Sequence, residues 1–450
     1  MIKLIKGGSN KIGIDGAIAF TILSRVIQAV GGVVTLIFIA KCLTKVEQGY
    51  YFTFGSILGI QVFFELGLSG IITLFVAHEN ANLVWNDRTS FKGSPESSSR
   101  LASLLRFTIK WFGVIAILLF FGLLISGYFF FGKYGKSNTL VEWQIPWMIL
   151  SVTTSLTLMA SPIMAFFEGL GRVKEVAQIR MLQQIVQLSF VLILYSLGFK
   201  LFSAPVASFL SFLIVPIWIF FGIKKKLLVF VWNKIGKYHV NYRMEIFPFQ
   251  WKIALSWISS YFMFQFFNPV LFATEGAIVA GQMGMTLAIL NAILYVPLSW
   301  INTKVPMFSS LIAKKEYINL DIIFNKTLRQ TSIVLLACLL IFISFIYVIK
   351  VLNVSIGNRF LPLFPIILLS IATFVNQFVS AFGTYLRCHK QEPFLAYSIV
   401  MAILTTLSTL ILGKFFGVFG IALGYCVLTV TLGLFWVRFI FIKKKKLWHT

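Results

Sequence analysis

Charged residues are scarce in this chain. Only 12% of its 450 residues are charged, whereas 58% are hydrophobic, and the mean hydropathy is +0.90. A soluble domain typically carries about 25% charged residues, so the composition excludes an ordinary soluble globular fold. We predict an all-α polytopic membrane protein.

Cysteine, histidine and acidic residues are also few. The four cysteines and four histidines neither cluster nor show the spacing of metal ligands, so we predict no disulfide framework and no metal site. The acids of the predicted outer loops, Glu47, Glu142 and Glu275, are isolated from one another. A membrane enzyme of glycan assembly would need acids or bases gathered at such a loop. That interpretation is a minor alternative, and we predict a protein that is not an enzyme.

Long apolar runs dominate what is present. About 20 apolar residues cross a bilayer core about 30 Å thick. Twelve such runs predict twelve transmembrane helices in two six-helix bundles around a central cavity. We assign 1–223 to the N-terminal bundle, 224–252 to a basic cytoplasmic linker with an amphipathic segment, and 253–450 to the C-terminal bundle and basic tail. The runs are at 17–40, 49–76, 107–131, 144–167, 179–198, 203–223, 253–273, 277–303, 329–349, 361–385, 394–413 and 418–441.

The basic residues predict the orientation. With the N-terminus inside, 30 of the 39 Lys and Arg lie in predicted inner segments, 8 lie in outer loops, and Arg25 is in the membrane. This asymmetry predicts cytoplasmic termini, so the net charge of +25 reflects topology rather than nucleic-acid binding. The basic N-terminus resembles a secretory signal. However, the apolar run is long and is interrupted by Asp15 and Arg25, which argues against cleavage.

Two predicted inner segments are longer than turns. The linker 224–252 combines seven cations with aromatic residues, which predicts an amphipathic element at anionic headgroups. Anionic membrane lipids are therefore predicted partners. In 78–106, Leu101, Leu104 and Leu105 lie beside basic residues, which predicts a second interfacial helix.

Two charges lie deep in the first two apolar runs: Arg25 in the first and Glu65 in the second. A charge at the centre of a membrane helix costs about 3 kcal/mol on insertion scales, so one that is retained usually faces a partner or a wet cavity. Arg25 either binds an anionic group, pairs with Glu65, or extends to the inner interface. Helical spacing adds neighbouring polar residues, and the predicted cavity set is Arg25, Gln28, Gln61, Glu65, Arg180, Gln184 and Lys304.

The chain resembles a known family. The residues that carry this likeness are the internal arginine of the first helix, the segment LTKVEQGYYFTFGSILGIQVFFELGLSG and the EGLGR turn after helix 4. With the twelve-helix count, they are similar to the Wzx-type polysaccharide flippases of the multidrug/oligosaccharidyl-lipid/polysaccharide exporter superfamily, which carry O-antigen or capsule repeat units.

The resemblance implies a V-shaped pair of bundles in the bacterial inner membrane. They would flip an undecaprenyl-pyrophosphate-linked oligosaccharide by alternating access, and Arg25 would meet the pyrophosphate. No cofactor is expected beyond coupling to H⁺ or Na⁺, and other polysaccharide-assembly membrane proteins are candidate partners. The main alternative is an ion-coupled drug or organic-cation antiporter of the same superfamily. That function favours a second buried carboxylate in the N-terminal half, and the sequence has none there.

Overall fold

The structure is a computed structural model that describes residues 16–135, 141–221, 223–389 and 391–449. The side chain of Arg25, like several others in the first helix, lies outside the described set. Residues 1–15, on which the prediction against signal cleavage partly rests, also lie outside it.

The described chain is almost entirely helical. Its first part contains α1 (Gly16–Cys42), α2 (Lys45–Leu58), a 3-10 turn (Gly59–Gln61), α3 (Val62–Glu65), α4 (Leu68–Asn80), β1 (Leu83–Trp85), β2 (Phe91–Gly93), α5 (Pro95–Tyr134), α6 (Gln144–Gly169), α7 (Val173–Ser196), a 3-10 turn (Lys200–Phe202), α8 (Ser203–Phe212), α9 (Ile214–Phe220) and α10 (Ile223–Trp232). Its second part contains a π turn (Tyr242–Ile246), α11 (Phe247–Phe264), α12 (Phe267–Thr274), α13 (Ala277–Thr303), α14 (Val305–Ala313), α15 (Tyr317–Val351), a 3-10 turn (Ser355–Arg359), α16 (Leu363–Arg387), α17 (Leu395–Leu428), a π segment (Thr429–Trp436) and α18 (Val437–His449).

Among the described residues, nine helices are long and apolar enough to cross a membrane. One of them, Leu395–Trp448, contains two spans, because the chain turns back at Gly417 (φ 57°, ψ −140°). The partly described α1 and the α11–α12 pair supply the remaining two apolar runs. The chain is therefore a multi-pass α-helical membrane protein, and the twelve predicted runs are accounted for.

The chain forms two compact units. Unit 1 comprises Met1–Cys42, Ile60–Lys133 and Thr139–Ala254, and unit 2 comprises Leu43–Gly59, Tyr134–Asn138 and Leu255–Thr450. In unit 1, the fully buried Trp147 donates its indole N–H to the Leu123 carbonyl over 3.0 Å. The units follow packing rather than chain order, so the boundaries predicted at 223 and 252 stay predictions.

Unit 2 is built around α13, which packs against α2, α12, α15 and α16. The closest approach is at Gly49 and Gly281, where the two helix backbones touch. A Cβ on Gly49 would lie 1.9 Å from the Ala277 carbonyl oxygen, and a Cβ on Gly281 would lie 2.8 Å from the Gly49 nitrogen. Only glycine therefore allows α2 and α13 to pack at this distance.

The prediction of an interfacial helix within 78–106 is wrong. Residues 83–93 form an antiparallel hairpin in which Leu83 pairs with Gly93 and Trp85 with Phe91. Leu101 and Leu105 belong to the 40-residue helix α5 and are fully buried. These leucines pack into unit 1 rather than onto lipid, so their spacing indicated a protein interior.

The second predicted span is also not one continuous helix. It consists of α2, a 3-10 turn, the four-residue α3 and then α4. Its first part belongs to unit 2 and its later part to unit 1. The polar residues of the predicted site lie around this interruption.

Candidate functional site

The break between α3 and α4 is the central feature of the candidate site. Glu65 ends α3, and the next two residues, Leu66 (φ 50°) and Gly67 (φ 70°), are both left-handed. A left-handed conformation costs a residue other than glycine about 1–2 kcal/mol. Helix α4 then begins without a side-chain cap. Among the described side chains, none accepts a hydrogen bond from its first N–H groups, although these lie within a membrane span.

Helix α4 is firmly supported directly after the break. The Ser69 hydroxyl lies 3.3 Å from that of Ser161, and the Thr73 hydroxyl donates to the Ala165 carbonyl over 3.1 Å. Further along, Gly169 packs against Val76. These contacts fix α4 against α6, so the N-terminus of α4 has a defined position in unit 1.

Glu65 and Gln61 are both half-buried beside the break. Among the described side chains, none forms a hydrogen bond or ion pair with the Glu65 carboxylate. Because the Arg25 side chain lies outside that set, the predicted Arg25–Glu65 pair stays a prediction. Gln28, one turn after Arg25 on α1, is exposed.

Helix α1 packs along α7, the helix that carries Arg180 and Gln184. The two helices meet closely at Gly31, where a Cβ would lie 2.8 Å from a Leu188 methyl carbon. Arg180 forms an ion pair with Glu168 over 2.9 Å, although half of its side chain is exposed. Glu168 partly neutralises Arg180, which makes it a weaker anion ligand than the sequence suggested.

The remaining predicted residue, Lys304, belongs to unit 2, whereas the other six belong to unit 1. It lies at the junction of α13 and α14, directly before the helix that contains Pro306, and is half-buried. The structure packs α1, which carries Arg25 and Gln28, against α7, which carries Arg180 and Gln184, whereas α4, after the break, packs against α6. That these residues share one cavity stays a prediction.

A second polar cluster, at the start of α2, was missed from the sequence. Gln48, 1% exposed, donates to the carbonyls of Gly281 (2.9 Å) and Arg359 (3.1 Å). The Arg359 guanidinium donates to the Gln48 side-chain oxygen over 3.2 Å and to the Leu43 carbonyl over 2.6 Å. We call this set the Gln48–Arg359 clamp.

Glu47, one of the acids of the predicted outer loops, has a structural role at the start of α2. It is buried in a capping box, in which its carboxylate accepts from the Thr44 N–H over 2.7 Å and its own N–H donates to the Thr44 hydroxyl over 3.1 Å. Together with the clamp, this box anchors the first turn of α2 in unit 2.

The end of the second span is held by charged groups. The Arg100 guanidinium donates to Glu79 over 2.7 Å and to Glu245 over 2.5 Å. The hydrogen bond from Arg100 lowers the pKa of Glu245 below its ordinary value, and the Asn241 N–H adds to this effect. Arg100 lies in the predicted inner segment 78–106. Its two acceptors, Glu79 and Glu245, are far apart in the chain.

Several amides within the apolar runs hold helices together within unit 2. Asn268 donates to the Ser56 hydroxyl over 2.9 Å, Gln377 to Thr331 over 2.8 Å, and Asn376 to the Tyr425 hydroxyl over 2.9 Å. Each contact joins two different helices. These amides therefore contribute to packing, and they leave the broken span of unit 1 as the better candidate for binding.

No protein-family model and no curated protein matches the chain. Among solved structures, the chain is similar to a multidrug resistance MATE family transporter of the MOP superfamily, in an inward-facing conformation. The TM-score is 0.62 and the identity 13%, over 93% of this chain and 99% of that one. It is also similar to the lipid II flippase MurJ in an inward closed conformation, with a TM-score of 0.56 and 14% identity over 95% and 90% of the two chains.

A third similar structure is a MOP superfamily transporter from Pyrococcus furiosus, whose binding pocket is described as having reverse polarity. Here the TM-score is 0.55 and the identity 14%, over 96% of this chain and 97% of that one. At these identities the likeness establishes the fold, which is that of MOP superfamily transporters. Because drug transporters and a flippase share it, the fold alone does not select a cargo.

Proposed function

We propose that this protein is a flippase of the bacterial inner membrane. It moves undecaprenyl-pyrophosphate-linked oligosaccharide repeat units from the cytoplasmic to the outer leaflet by alternating access, with no chemistry on the substrate. The observation that carries the proposal is the break after Glu65, which leaves the uncapped N-terminus of α4 inside a membrane span.

The break suits an anionic headgroup. In transporters, N-termini of interrupted helices bind anionic groups of the substrate, because their free N–H groups and the helix dipole favour negative charge. Arg25 adds a planar fork of donors that matches a phosphate. Glu65 is the acid furthest from the ends of any predicted span, and it tunes Arg25 or carries a coupling proton.

An ion-coupled drug or organic-cation antiporter is the second candidate. The multidrug transporter of the same fold supports it, as does the half-buried Glu65 beside the break, which would then bind the cation or the coupling ion directly. The two candidates differ in the sign of the charge on the cargo. An anionic cargo gives the central role to Arg25, and a cationic cargo gives it to Glu65.

The deciding experiment measures flipping of a fluorescent polyprenyl-pyrophosphate oligosaccharide in liposomes that contain the purified protein. Wild type is compared with Arg25→Ala, Arg25→Lys and the matched control Arg438→Ala, in which an exposed arginine outside the predicted cavity set is removed. We expect flipping by wild type and Arg438→Ala, none by Arg25→Ala, and partial activity in Arg25→Lys, since lysine offers a point charge instead of a fork.

Two outcomes would contradict the proposal. Wild-type flipping by Arg25→Ala would remove Arg25 from the site. No flipping by any protein, together with proton- or sodium-driven uptake of organic cations that depends on Glu65, would establish the antiporter instead.

A further inference from the structure

Three segments predicted to lie on the cytoplasmic side meet at one end of unit 1. They are the β1–β2 hairpin, the turn before α7 and the first turn of α10, and they surround a small, partly open recess. Its lining residues are Arg88, Phe167, Arg172, Glu175, Ile223, Lys224 and Leu227. The recess is distinct from the broken second span.

The recess carries an excess of positive charge. Arg88, Arg172 and Lys224 contribute three cations from three different elements. The single carboxylate, Glu175, is shared between Arg172 (3.4 Å) and Lys224 (2.6 Å). Two positive charges therefore remain uncompensated among the lining residues, which is the charge pattern that a phosphate group neutralises.

Two of the three cations are held in place before any ligand arrives. Arg172 donates to the Arg88 carbonyl over 3.0 Å and lies over the Trp85 ring at 5.3 Å. Lys224 lies 5.2 Å from the centre of the Trp218 ring. Such fixed donors bind an anion with little loss of side-chain entropy.

The third cation, Arg88, is presented by a rigid turn. The Asp87 carboxylate accepts hydrogen bonds from the backbone N–H groups of Thr89 (2.5 Å) and Ser90 (2.8 Å) and from both of their hydroxyls. Among the described residues, none bonds to the Arg88 guanidinium, so it is available to a ligand at the rim of the recess.

The surroundings of the recess indicate a lipid. Phe167 and Leu227 form an apolar floor and are buried, while Ile223 at the rim is 47% exposed. Two to three residues before Ile223, at the end of a membrane span, Phe221 and Phe220 are 88% and 62% exposed. Exposed apolar residues therefore precede the cationic Lys224 in the sequence, an order that suits an acyl chain and its headgroup.

We propose that this recess binds the phosphate headgroup of an anionic phospholipid of the cytoplasmic leaflet. Arg88, Arg172 and Lys224 contact the phosphate, and the acyl chains lie against Ile223, Phe220 and Phe221. The site does not depend on the proposed flippase cargo, because its assay measures lipid binding and not transport.

The test is native mass spectrometry of the purified full-length protein in mild detergent, titrated with phosphatidylglycerol or phosphatidylcholine. Wild type is compared with Arg88→Gln/Lys224→Gln and with Lys314→Gln/Lys315→Gln, which removes two exposed lysines of unit 2 outside the recess. We expect at least one tight phosphatidylglycerol in wild type and about tenfold weaker binding in the recess variant. The control variant should bind within about twofold of wild type.

Several results would overturn the proposal. One is equal phosphatidylglycerol binding by wild type and the recess variant. Another is binding of phosphatidylcholine to wild type as tightly as phosphatidylglycerol. A third is displacement of the lipid by inorganic phosphate, which would identify free phosphate as the ligand. If the double variant melts early because Lys224 no longer pairs with Glu175, Arg88→Gln alone decides. Among the described residues its guanidinium has no hydrogen-bond partner to lose, and a lipid affinity unchanged in that variant contradicts the proposal.

Discussion

The two ends of the second span are anchored by different chemistry. At its start, Arg359 donates to neutral acceptors, the Gln48 side chain and the Leu43 carbonyl. At its end, Arg100 donates to two carboxylates, Glu79 and Glu245. Between these anchors, residues 59–65 contain no fully buried side chain, and the chain is left-handed at Leu66 and Gly67.

The two anchors hold the span in place, whereas the break between them is the candidate for binding and transport. A strained backbone persists only where the surrounding structure fixes it, and here both flanking helices are fixed in their own units. The interruption is therefore a built feature of the span rather than a frayed end. It also contains the deepest acid of the sequence, so changes at the break should affect transport, whereas changes at the anchors should affect stability.

The largest expected effect compares Glu65 with Glu47, an acid at the start of the same span. Glu65→Gln should reduce transport at least about tenfold, which corresponds to about 1.4 kcal/mol on the barrier, while melting close to wild type. Glu47→Gln should leave transport unchanged, because glutamine also completes a capping box. Liposome flipping and thermal melting of both variants test this; wild-type flipping by Glu65→Gln would place Glu65 outside the site.

The next effect concerns the Gln48–Arg359 clamp. Arg359→Ala removes the guanidinium that donates to the Leu43 carbonyl and to the Gln48 side-chain oxygen. Leu43 is only 2% exposed. Buried acceptors without partners cost about 1–3 kcal/mol each, so we expect a loss of about 2–3 kcal/mol. Thermal unfolding measures it, with Arg438→Ala as the matched control. Equal melting of the two variants would show that the clamp does not anchor α2.

The sequence was sufficient to locate the apolar runs and to predict which connecting segments lie on the same side of the membrane. Segments predicted on one side do meet: Lys445 of the tail pairs with Asp321 at 2.8 Å, and Arg172 bonds to the Arg88 carbonyl. Hydropathy predicts such runs because the bilayer imposes their length. It is insensitive to backbone dihedral angles, so FELGL indicated an uninterrupted helix although Leu66 is left-handed.

Contacts between distant parts of the chain could not be predicted from the sequence, for a different reason. Gln48 and Gly281 are 233 residues apart, and nothing in the local pattern of either segment specifies the other. Likewise, Glu168 and Arg180 lie on separate helices, and their pairing depends on the turn between α6 and α7. The sequence shows Arg25 and Glu65 within apolar runs, but it does not show which side chains lie beside them.

A smaller effect is expected from two glycines of the second span. Gly67→Ala introduces a Cβ at a left-handed residue and should destabilise by about 1–2 kcal/mol. Gly55→Ala should stabilise by about 0.5–1 kcal/mol, because Gly55 is inside α2 and no neighbouring atom lies within 4 Å of the position that a Cβ would take. Opposite shifts in melting temperature are expected; stabilisation by both would show that the break is not left-handed in solution.

The smallest effect distinguishes the two anchors by pH. The pKa of Glu245 is lowered from its ordinary value of 4.5 by Arg100, so its contribution is present above about pH 4.5 and is lost as the pH falls through the lowered value. Because Glu245 is partly exposed, we expect Glu245→Gln to destabilise by only about 0.5–1 kcal/mol at neutral pH. The difference should decrease as the pH falls from neutral to below about 4.5. The loss caused by Arg359→Ala should not change over this pH range, since its acceptors do not titrate, and a parallel decline of both differences would contradict the contrast between the anchors.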